Sequence, residues 1–386
     1  MTFAELNITS NFSFLTGGSH AEEYARTAAL MGMPALAIAD ENSVAGIVRA
    51  HSALREVARQ VRERTALDAV DGPIGPPTPA GLPSPPSVAI RNIPRLLPAA
   101  KLVLTDGLVV TLLPRDRAAW GRLCRLLSIG RQRVEKGKCQ LRLTDLLDWG
   151  MGMELLIHPP HTTAPAPVPG PRGGQQVPEQ VRDRDAQIRQ LVARFPHQCH
   201  LILSPCYDGQ DARRFQRLTR LAESLGIPTV ASAAPIMHIA QRRKLVDVLT
   251  SIRLHTRVDQ LGRAALANAE QRLRPEGDML RLFQGYEDAV HRAGDIAARC
   301  AFSLDELKYE YPSEISPGEN PAQRLARLAH AGLQWRYPGG APERVRAMLA
   351  HELALIAKLK YEPYFLTVND VVDFARARGI LCQGRG

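Results

Sequence analysis

Three candidate metal-binding side chains each lie beside a predicted helix or strand. Asp40 follows the apolar run 33–39, His20 precedes a predicted helix, and His238 lies near a later apolar run. Hard divalent ions need several His, Asp or Glu ligands that converge on one point. One aspartate after a strand is more often part of a turn or a helix cap, and the two histidines fit surface or capping positions. Taken alone, these residues do not predict a metal site.

The six cysteines are scattered, and no two of them form a C-x-x-C pair: Cys124, Cys139, Cys199, Cys206, Cys300 and Cys382. This spacing argues against a zinc ribbon or a redox dithiol. It favours reduced thiols in the cytoplasm.

The residues before Asp40 predict a helix that is followed by a strand. Residues 19–22 have the sequence of a capping box, in which the serine oxygen accepts from the third helical N–H and Glu22 reaches back. The helix is then expected over 23–30, with a stop at Gly32. The fully apolar run 33–39 predicts a parallel strand that is buried on both faces.

The same order of elements returns near residue 212. Helical periodicity over 212–225 ends at Gly226, and the apolar run 227–231 predicts another short strand. Leu-Gly-Ile-Pro at 225–228 repeats the pattern of Met-Gly-Met-Pro at 31–34. Such units favour a parallel α/β barrel or an open sheet, and their irregular spacing excludes a repeat array.

Two segments interrupt this pattern, near 71–87 and near 158–178. Both are rich in proline and glycine and contain almost no bulky apolar residues. They cannot bury enough surface to offset the entropy of ordering them, so we expect flexible surface insertions. A domain boundary is the alternative for either.

From about Gln241 the sequence changes to long stretches with i, i+3, i+4 apolar spacing. These stretches predict helices over 259–274, 277–283, 286–299, 321–336 and 342–359. A further helix is expected from 367–370 to Gly379, and then a strand-like stretch over 380–383. We therefore expect an α/β domain over 1–240 and a mainly helical segment over 241–386.

The formal net charge of +10 indicates an anionic partner, with nucleic acid as the first candidate. The abundance of arginine, alanine and proline has a second explanation, a GC-rich coding sequence. No stretch approaches the roughly 20 apolar residues of a membrane-spanning helix. The first residues also lack the features of a secretory signal, so we expect a cytoplasmic protein without a membrane partner.

Three stretches resemble one family, the bacterial C-family DNA polymerases. Residues 10–20 and 34–42 are similar to the first motifs of the PHP (polymerase and histidinol phosphatase) domain of the polymerase III alpha subunits. Residues 361–386 resemble the start of the polymerase palm. Residues 302–312, 336–340 and the closing Cys-Gln-Gly-Arg-Gly are similar to the error-prone, translesion branch. The resemblance implies a PHP-type distorted (β/α) barrel over 1–240, followed by a helical segment that leads into the palm.

The resemblance also implies that the metal site of the PHP domain has lost its ligands. The family's first His-x-His falls on residues 7–9, where Asn7 and Thr9 replace both histidines. Glu41 stands where a histidine is usual, and the late Asn-Asp falls on Ala233-Ala234. We therefore expect no metal site and no catalytic residue here, and the domain is expected to act as a scaffold.

By the same resemblance, Gly384, Arg385 and Gly386 form a nucleotide-binding loop. Glycines let the backbone approach phosphates, and an arginine can donate two hydrogen bonds to their oxygens. The family's paired catalytic carboxylates come later than Gly386, and Asp370 and Asp373 are expected to be a helix cap and part of a solvated face. This chain is thus expected to hold no cofactor and to lack polymerase activity by itself.

For the full-length polymerase the resemblance implies Mg²⁺, DNA, deoxynucleoside triphosphates, a sliding clamp and damage-response accessory proteins. Two other functions stay open. One is a free-standing PHP-type metal-dependent phosphoesterase, and the other is a non-catalytic module that binds DNA or a protein partner.

Overall fold

The computed structural model describes residues 3–71, 93–159, 178–307 and 319–383. The chain forms two compact units, Met1–Glu306 and Leu307–Gly386. The two units meet after Glu306, which is later than residue 240. The expected boundary at residue 240, between a PHP-type domain and a helical segment, stays a prediction. The two proline-rich insertions, apart from their edges, and the loop Gly384-Arg385-Gly386 lie outside the described residues.

One seven-stranded sheet forms the centre of the first unit, and its strands lie side by side in chain order. Six of them run in one direction, because only the pairings of the fourth strand with its two neighbours are antiparallel. The strands are β1 (Glu5–Ile8), β2 (Ala35–Glu41), β3 (Arg95–Val103), β4 (Val109–Pro114), β5 (Met153–His158), β6 (Cys199–Leu203) and β7 (Thr229–Ala231).

Helices connect and cover these strands, so the α/β architecture expected from the sequence is confirmed. Those of the first unit are α1 (Ala21–Leu30), α2 (Ala45–Asp71), α3 (Arg117–Gln132), α4 (Leu143–Trp149), α5 (Pro178–Arg194), α6 (Asp211–Leu225), α7 (Arg243–Arg253), α8 (Glu276–Leu282) and α9 (Glu287–Arg299). The second unit contains α10 (Pro321–Arg336), α11 (Glu343–Leu359) and α12 (Glu362–Ala377).

The core lies along the sheet. Strands β4 and β5 are buried over their whole length, and so is β2 except for its last residue. Continuous apolar strands need cover on both faces, which the connecting helices provide. Each fully buried side chain such as Leu36, Ile38 or Ile157 contributes about 1.5–3 kcal/mol of transfer free energy.

The two helix–glycine–strand units predicted from the sequence are both present. Gly32 follows α1 and Gly226 follows α6, with φ of +66° and +67°. L-residues with a side chain avoid this left-handed conformation, and glycine adopts it freely. Each glycine thus ends its helix and turns the chain back toward the sheet.

Four expectations about single elements were wrong. The capping box lies one residue later than expected, since the His20 N–H donates to Glu23 Oε2 at 2.8 Å. Residues 259–274 form no α-helix: two short 3₁₀ turns, Val258–Gln260 and Gly262–Ala264, lie at their start, and Gly262 with φ +53° interrupts the helical backbone. Helix α12 begins at Glu362 instead of 367, because proline is well suited to a first helical turn. Residues 380–383 form no strand.

Within the second unit, α10 packs against α12. Asn320 caps α10 by accepting from the Gln323 N–H at 2.9 Å. Arg324 donates to both carboxylate oxygens of Asp370 at 3.1 Å. Among the described residues of this unit only Leu366 and Ala375 are buried apolar residues. None of the helices in the described ranges is long and apolar enough to cross a membrane.

Candidate functional site at the carboxyl end of the sheet

The carboxyl ends of six strands meet at one edge of the sheet. In α/β proteins this edge is where ligands usually bind. Asp40 ends β2 there, His158 ends β5, and the residues after β1 and β7 border the same edge. The sequence positions that correspond to PHP metal ligands therefore do converge, and their side chains decide what the edge can do.

Asp40 holds the turn that follows β1. Its carboxylate accepts from the Ser10 N–H at 2.8 Å, from Ser10 Oγ at 2.7 Å and from Ser13 Oγ at 2.8 Å. Gly46 packs so closely that a Cβ there would lie 2.6 Å from Asp40 Oδ2. Burial raises the pKa of Asp40, and the hydrogen bonds from Ser10 and Ser13 oppose this rise. Of the two interpretations made from the sequence, the turn is the one that the structure supports.

Asn7 is linked to two other strands through Thr111. Thr111 Oγ1 donates to Asn7 Oδ1 at 3.0 Å and lies 2.9 Å from His158 Nε2. A hydroxyl has one proton to donate, so His158 Nε2 carries the proton of the second hydrogen bond. Burial, reinforced by Lys101, lowers the pKa of His158 well below its usual value. His158 is therefore a neutral, buried donor.

Lys101 is the cation of this edge, and sequence reasoning missed it. Its ammonium donates to Thr9 Oγ1 at 2.8 Å. Lys101 lies directly beside Glu41 in the register of β2 and β3. Burial lowers the pKa of Lys101, whereas the charges of Asp40, Glu41 and Glu5 act in the opposite direction. No local sequence signal marks this residue, because an isolated lysine in a strand has no motif.

Glu5 was also missed, although it is completely buried. Its carboxylate accepts from Ser232 Oγ, from the Ala233 N–H at 2.9 Å and from the Asn7 N–H at 3.1 Å. Burial raises the pKa of Glu5 to about 7, against the effect of these hydrogen bonds. Glu5 thus fastens the end of β7 to β1 at the point where the family places an Asn-Asp pair.

The two histidines that were expected at surface or capping positions differ in their roles. His20 is exposed and is the N-cap residue of α1, as expected. His238 is partly buried and pairs with Ser19, whose hydroxyl accepts from the His238 N–H at 3.0 Å and lies 2.8 Å from Nδ1. Burial lowers the pKa of His238.

The residues at this edge do not fit a divalent metal ion. The oxygens of Asp40 and Glu5 are occupied by donors of the protein, and Ala233 and Ala234 have no ligand atom. Across the ranges that the structure describes, no group of three or more His, Cys, Asp or Glu residues is arranged to hold a metal ion. The buried polar groups of this edge bind the strands and the turn after β1 together.

The acidic residues of α12 are a second place to look for chemistry. Asp370 lies inside the helix and pairs with Arg324, so it is not the helix cap that the sequence predicted. Asp373 is exposed and accepts from Asn369 Nδ2 at 2.8 Å, which agrees with a solvated face. The role of Gly384, Arg385 and Gly386 in nucleotide binding stays a prediction.

One family model matches part of the chain. The family model of the bacterial DNA polymerase III alpha NTPase domain matches residues 323–386. Over these residues the chain is similar to that class of bacterial polymerase protein, as the resemblance indicated.

Within that class its relatives are error-prone DNA polymerases. It is 45% identical to the one from Ruegeria pomeroyi, covering 100% of this chain and 34% of that protein. It is 40% identical to the one from Aromatoleum aromaticum (100% and 32%) and 38% identical to one from Rhodopseudomonas palustris (100% and 30%). The chain therefore spans about a third of the length of the curated relatives that it matches.

The solved structures that match are distant. An amidohydrolase from Chromobacterium violaceum is 14% identical, with 60% of this chain and 87% of that chain covered and a TM-score of 0.36. PsfC from Pseudomonas syringae is 11% identical, with 61% and 76% covered and a TM-score of 0.31.

Proposed function

We propose that this chain supplies the scaffold domain and the first palm helices of an error-prone DNA polymerase that copies damaged templates. The observation that carries the proposal is the match of the whole chain to error-prone DNA polymerases at up to 45% identity. The substrates of the whole protein would be a primed DNA template and deoxynucleoside triphosphates, with Mg²⁺ at the paired carboxylates of the palm. A sliding clamp and damage-response accessory proteins would be its partners.

The surface of the second unit supports a role inside a larger polymerase. Its three helices and the residues beside them expose many large apolar side chains: Trp335, Met348, Leu355, Leu359, Tyr361, Tyr364, Phe365, Val368, Val371, Phe374, Ile380 and Leu381. Many large exposed apolar side chains on one small unit favour contact with other protein. Helices of a palm that pack against further polymerase elements would have such a surface.

The buried edge of the sheet supports the scaffold role of the first unit. Asp40 and Glu5 act as acceptors that hold β1, β7 and the turn after β1 together. A hydrolytic site would keep such oxygens accessible to a metal ion or a water molecule. A phosphoesterase is therefore not favoured by the described residues.

A genetic experiment tests the polymerase proposal. Deletion of the reading frame that encodes this chain should lower the frequency of ultraviolet-induced mutations and leave the growth of undamaged cells unchanged. Complementation with the intact gene is the control. An unchanged frequency of induced mutations in the deletion strain would contradict the proposal.

A biochemical experiment tests whether the chain polymerises by itself. We expect no extension of a primer on undamaged or abasic templates by the purified 386 residues in Mg²⁺ and all four triphosphates. Extension that disappears in a matched Arg385→Ala preparation would show that the chain contains a complete polymerase site, against our reasoning.

Helix α6 supports a second candidate function, the binding of DNA by the first unit. Arg213, Arg217 and Arg220 lie at i, i+4 and i+7 on its exposed face, and none forms an ion pair within the described residues. Arg214, in contrast, is held by Asp208 and Asp211. A row of unpaired arginines can neutralise phosphates, and such binding weakens steeply with salt.

Fluorescence anisotropy with a labelled duplex tests this candidate. We expect salt-dependent binding that is weakened when Arg213 and Arg217 are both changed to Glu. The double change of Arg55 and Arg62 to Glu on the exposed face of α2 is the matched control, because neither forms an ion pair within the described residues. Equal loss in both variants, or binding that ignores salt, would count against a specific role for α6.

A further inference from the structure

The turn after β1 presents a large aromatic side chain to solvent. Phe14 is 83% exposed, although hydrogen bonds fix the turn that carries it. Ser13 Oγ donates to Asp40 at 2.8 Å, and the Gly17 N–H donates to the Ser13 carbonyl at 3.1 Å. A Cβ at Gly17 would collide with the carbonyl of Ser10, so the turn closes tightly on itself. An ordered turn therefore holds Phe14 in water, and large aromatic side chains dominate the energetics of interfaces.

Helix α7 carries an exposed apolar stripe. Four large aliphatic residues at i, i+3, i+4 and i+7 share one face of this helix: Leu245, Val248, Leu249 and Ile252. We call these four residues the α7 stripe. The residues of α7 that are buried in the first unit are different ones: Val246, Thr250 and Ser251. Leu245, Val248 and Ile252 are 39%, 40% and 52% exposed, so the stripe faces away from the core.

The turn and the α7 stripe meet at a small pocket. Phe14, Leu15, Leu245 and Leu249 are its apolar lining residues, and its volume is about 200 Å³. The pockets of drug-sized ligands measure roughly 300–1000 Å³. This pocket is smaller, and it is therefore suited to one large side chain of a protein partner rather than to a free small molecule.

Basic residues flank the α7 stripe on both sides. Lys244 comes directly before its first residue, and Arg253 comes directly after its last. Arg253 Nη1 donates to Thr16 Oγ1 at 3.1 Å, which fixes the guanidinium beside the turn and leaves its charge without an acidic partner. The nearby carboxylate of Asp247 pairs with Arg243 at 3.6 Å. Within the described ranges, Lys244 and Arg253 thus form no ion pair.

We propose that Phe14 and the α7 stripe form a docking surface for an amphipathic helix of a partner protein that has acidic residues beside its apolar face. Anchors at i, i+3, i+4 and i+7 match the spacing by which apolar helix faces are recognised. The acidic residues of the partner pair with Lys244 and Arg253. This inference concerns a surface of the first unit and does not depend on the polymerase proposal, which the frequency of ultraviolet-induced mutations tests separately.

Single-stranded nucleic acid is the alternative occupant of this surface. A base can stack on an exposed aromatic ring, and nearby cations can bind its phosphates. Phe14 is the one aromatic residue of the surface, whereas the α7 stripe consists of four aliphatic residues that offer no stacking platform. The observations therefore favour a protein partner.

Display of a library of helical peptides against the full chain tests the docking surface. Peptides that also bind the double variant Phe14→Ser, Leu245→Ser are removed first, because the second unit exposes apolar side chains as well. We expect the remaining peptides to combine large apolar residues at helical spacing with several acidic residues. Failure to enrich any peptide after this removal, or enrichment of peptides without acidic residues, would overturn the proposal.

Fluorescence anisotropy with one enriched, labelled peptide measures the contribution of single residues. Phe14→Ser should weaken binding by about tenfold or more. Lys244→Glu should weaken it more at low than at high salt, because salt screens exposed charges. Both residues are exposed, so the unfolding midpoints of these variants should equal that of the wild type.

The matched control is Met151→Ser, which removes an exposed apolar side chain just before β5, at the opposite end of the sheet. It should leave peptide binding unchanged. Equal loss in Met151→Ser and Phe14→Ser would overturn the proposal. Binding of a labelled single-stranded oligothymidylate that Phe14→Ser abolishes would identify a nucleic-acid surface and would overturn it too.

Discussion

Glu154 is the centre of a buried ionic cluster in the first unit, and its replacement by glutamine is a quantitative test of the structure. The carboxylate is fully buried on β5 and accepts from His200 Nε2 at 2.8 Å. Arg115 donates to it at 2.7 Å and Arg299, at the end of α9, at 2.6 Å. The substitution keeps the shape of the side chain and removes its charge, so it isolates the ionic contribution.

The magnitude follows from the pKa of Glu154. Burial alone would raise this pKa, but the hydrogen bonds from His200 and Arg299 prevail and lower it from 4.5 to about 2. The difference corresponds to about 3 kcal/mol, since one pKa unit is about 1.4 kcal/mol. The arginine side chains are 31% and 40% exposed, and solvent screens them. We therefore expect Glu154→Gln to lower the free energy of unfolding by about 2 kcal/mol at neutral pH.

The pH dependence has a definite sign. A carboxyl whose pKa is lower in the folded state stabilises the fold at pH values above its unfolded-state pKa. This contribution is lost as the pH falls through the folded-state pKa. For Glu154 the loss should run from about pH 4.5 to about pH 2. Urea denaturation at neutral and acidic pH measures both effects, and the difference between wild type and Glu154→Gln should shrink in acid.

The control is Glu63→Gln, which removes an exposed carboxylate paired with Arg59 at i, i+4. Such a pair contributes about 0.5 kcal/mol or less. If Glu154→Gln changed the free energy of unfolding no more than Glu63→Gln does, the cluster would have no net stabilising role. A difference from wild type that stayed constant down to pH 3 would refute the electrostatic reasoning in particular.

Two further predictions concern Glu5 and the glycines. The pKa of Glu5 is raised to about 7, so the folded state binds more protons than the unfolded state between pH 4.5 and 7. The contribution of Glu5 to the free energy of unfolding is therefore present below that range and is lost as pH rises. In urea denaturation, the free energy of unfolding of Glu5→Gln should change less with pH than that of the wild type, by up to about 3 kcal/mol. Parallel pH profiles of the two proteins would contradict this. Gly226→Ala should destabilise the fold by about 1–2 kcal/mol, because φ is +67° and although an added Cβ would meet no neighbouring atom. Gly121→Ala lies inside α3, where an added Cβ also meets no atom, and should stabilise the fold by about 0.5–1 kcal/mol. Thermal unfolding that shifts in the same direction for both glycine variants would be inconsistent with this assignment.

The sequence resolved those elements that depend on near neighbours in the chain. The apolar run 33–39, the periodicity of α6 and the glycines that follow α1 and α6 act locally, and the structure contains the strand, the helix and both turns. Where two local signals competed, the prediction failed. The periodic stretch 259–274 contains Gly262. The capping box expected at 19–22 competes with a second pair one residue later, His20 and Glu23, and the structure contains the second pair.

Local sequence patterns do not indicate which residues form the site. Glu5, Lys101 and Thr111 carry no motif, and each gains its meaning from a strand that is distant in sequence. Lys101 contacts Thr9 across 92 residues, and Glu5 accepts from Ala233 across 228. The pairing order of the strands brings these residues together, and only this order defines their neighbours.

The sequence by itself thus determined the α/β fold class and the resemblance to the C-family polymerases. It also showed that the usual ligand residues are absent at positions 7, 9, 233 and 234. The tertiary structure alone decided what replaced them. Asp40 accepts hydrogen bonds from the turn after β1, Glu5 connects β1 to the residues after β7, and Lys101 donates to Thr9. The reason is physical: helix and strand propensities are set within a few residues, whereas the cost of a buried charge depends on every group that the fold places around it.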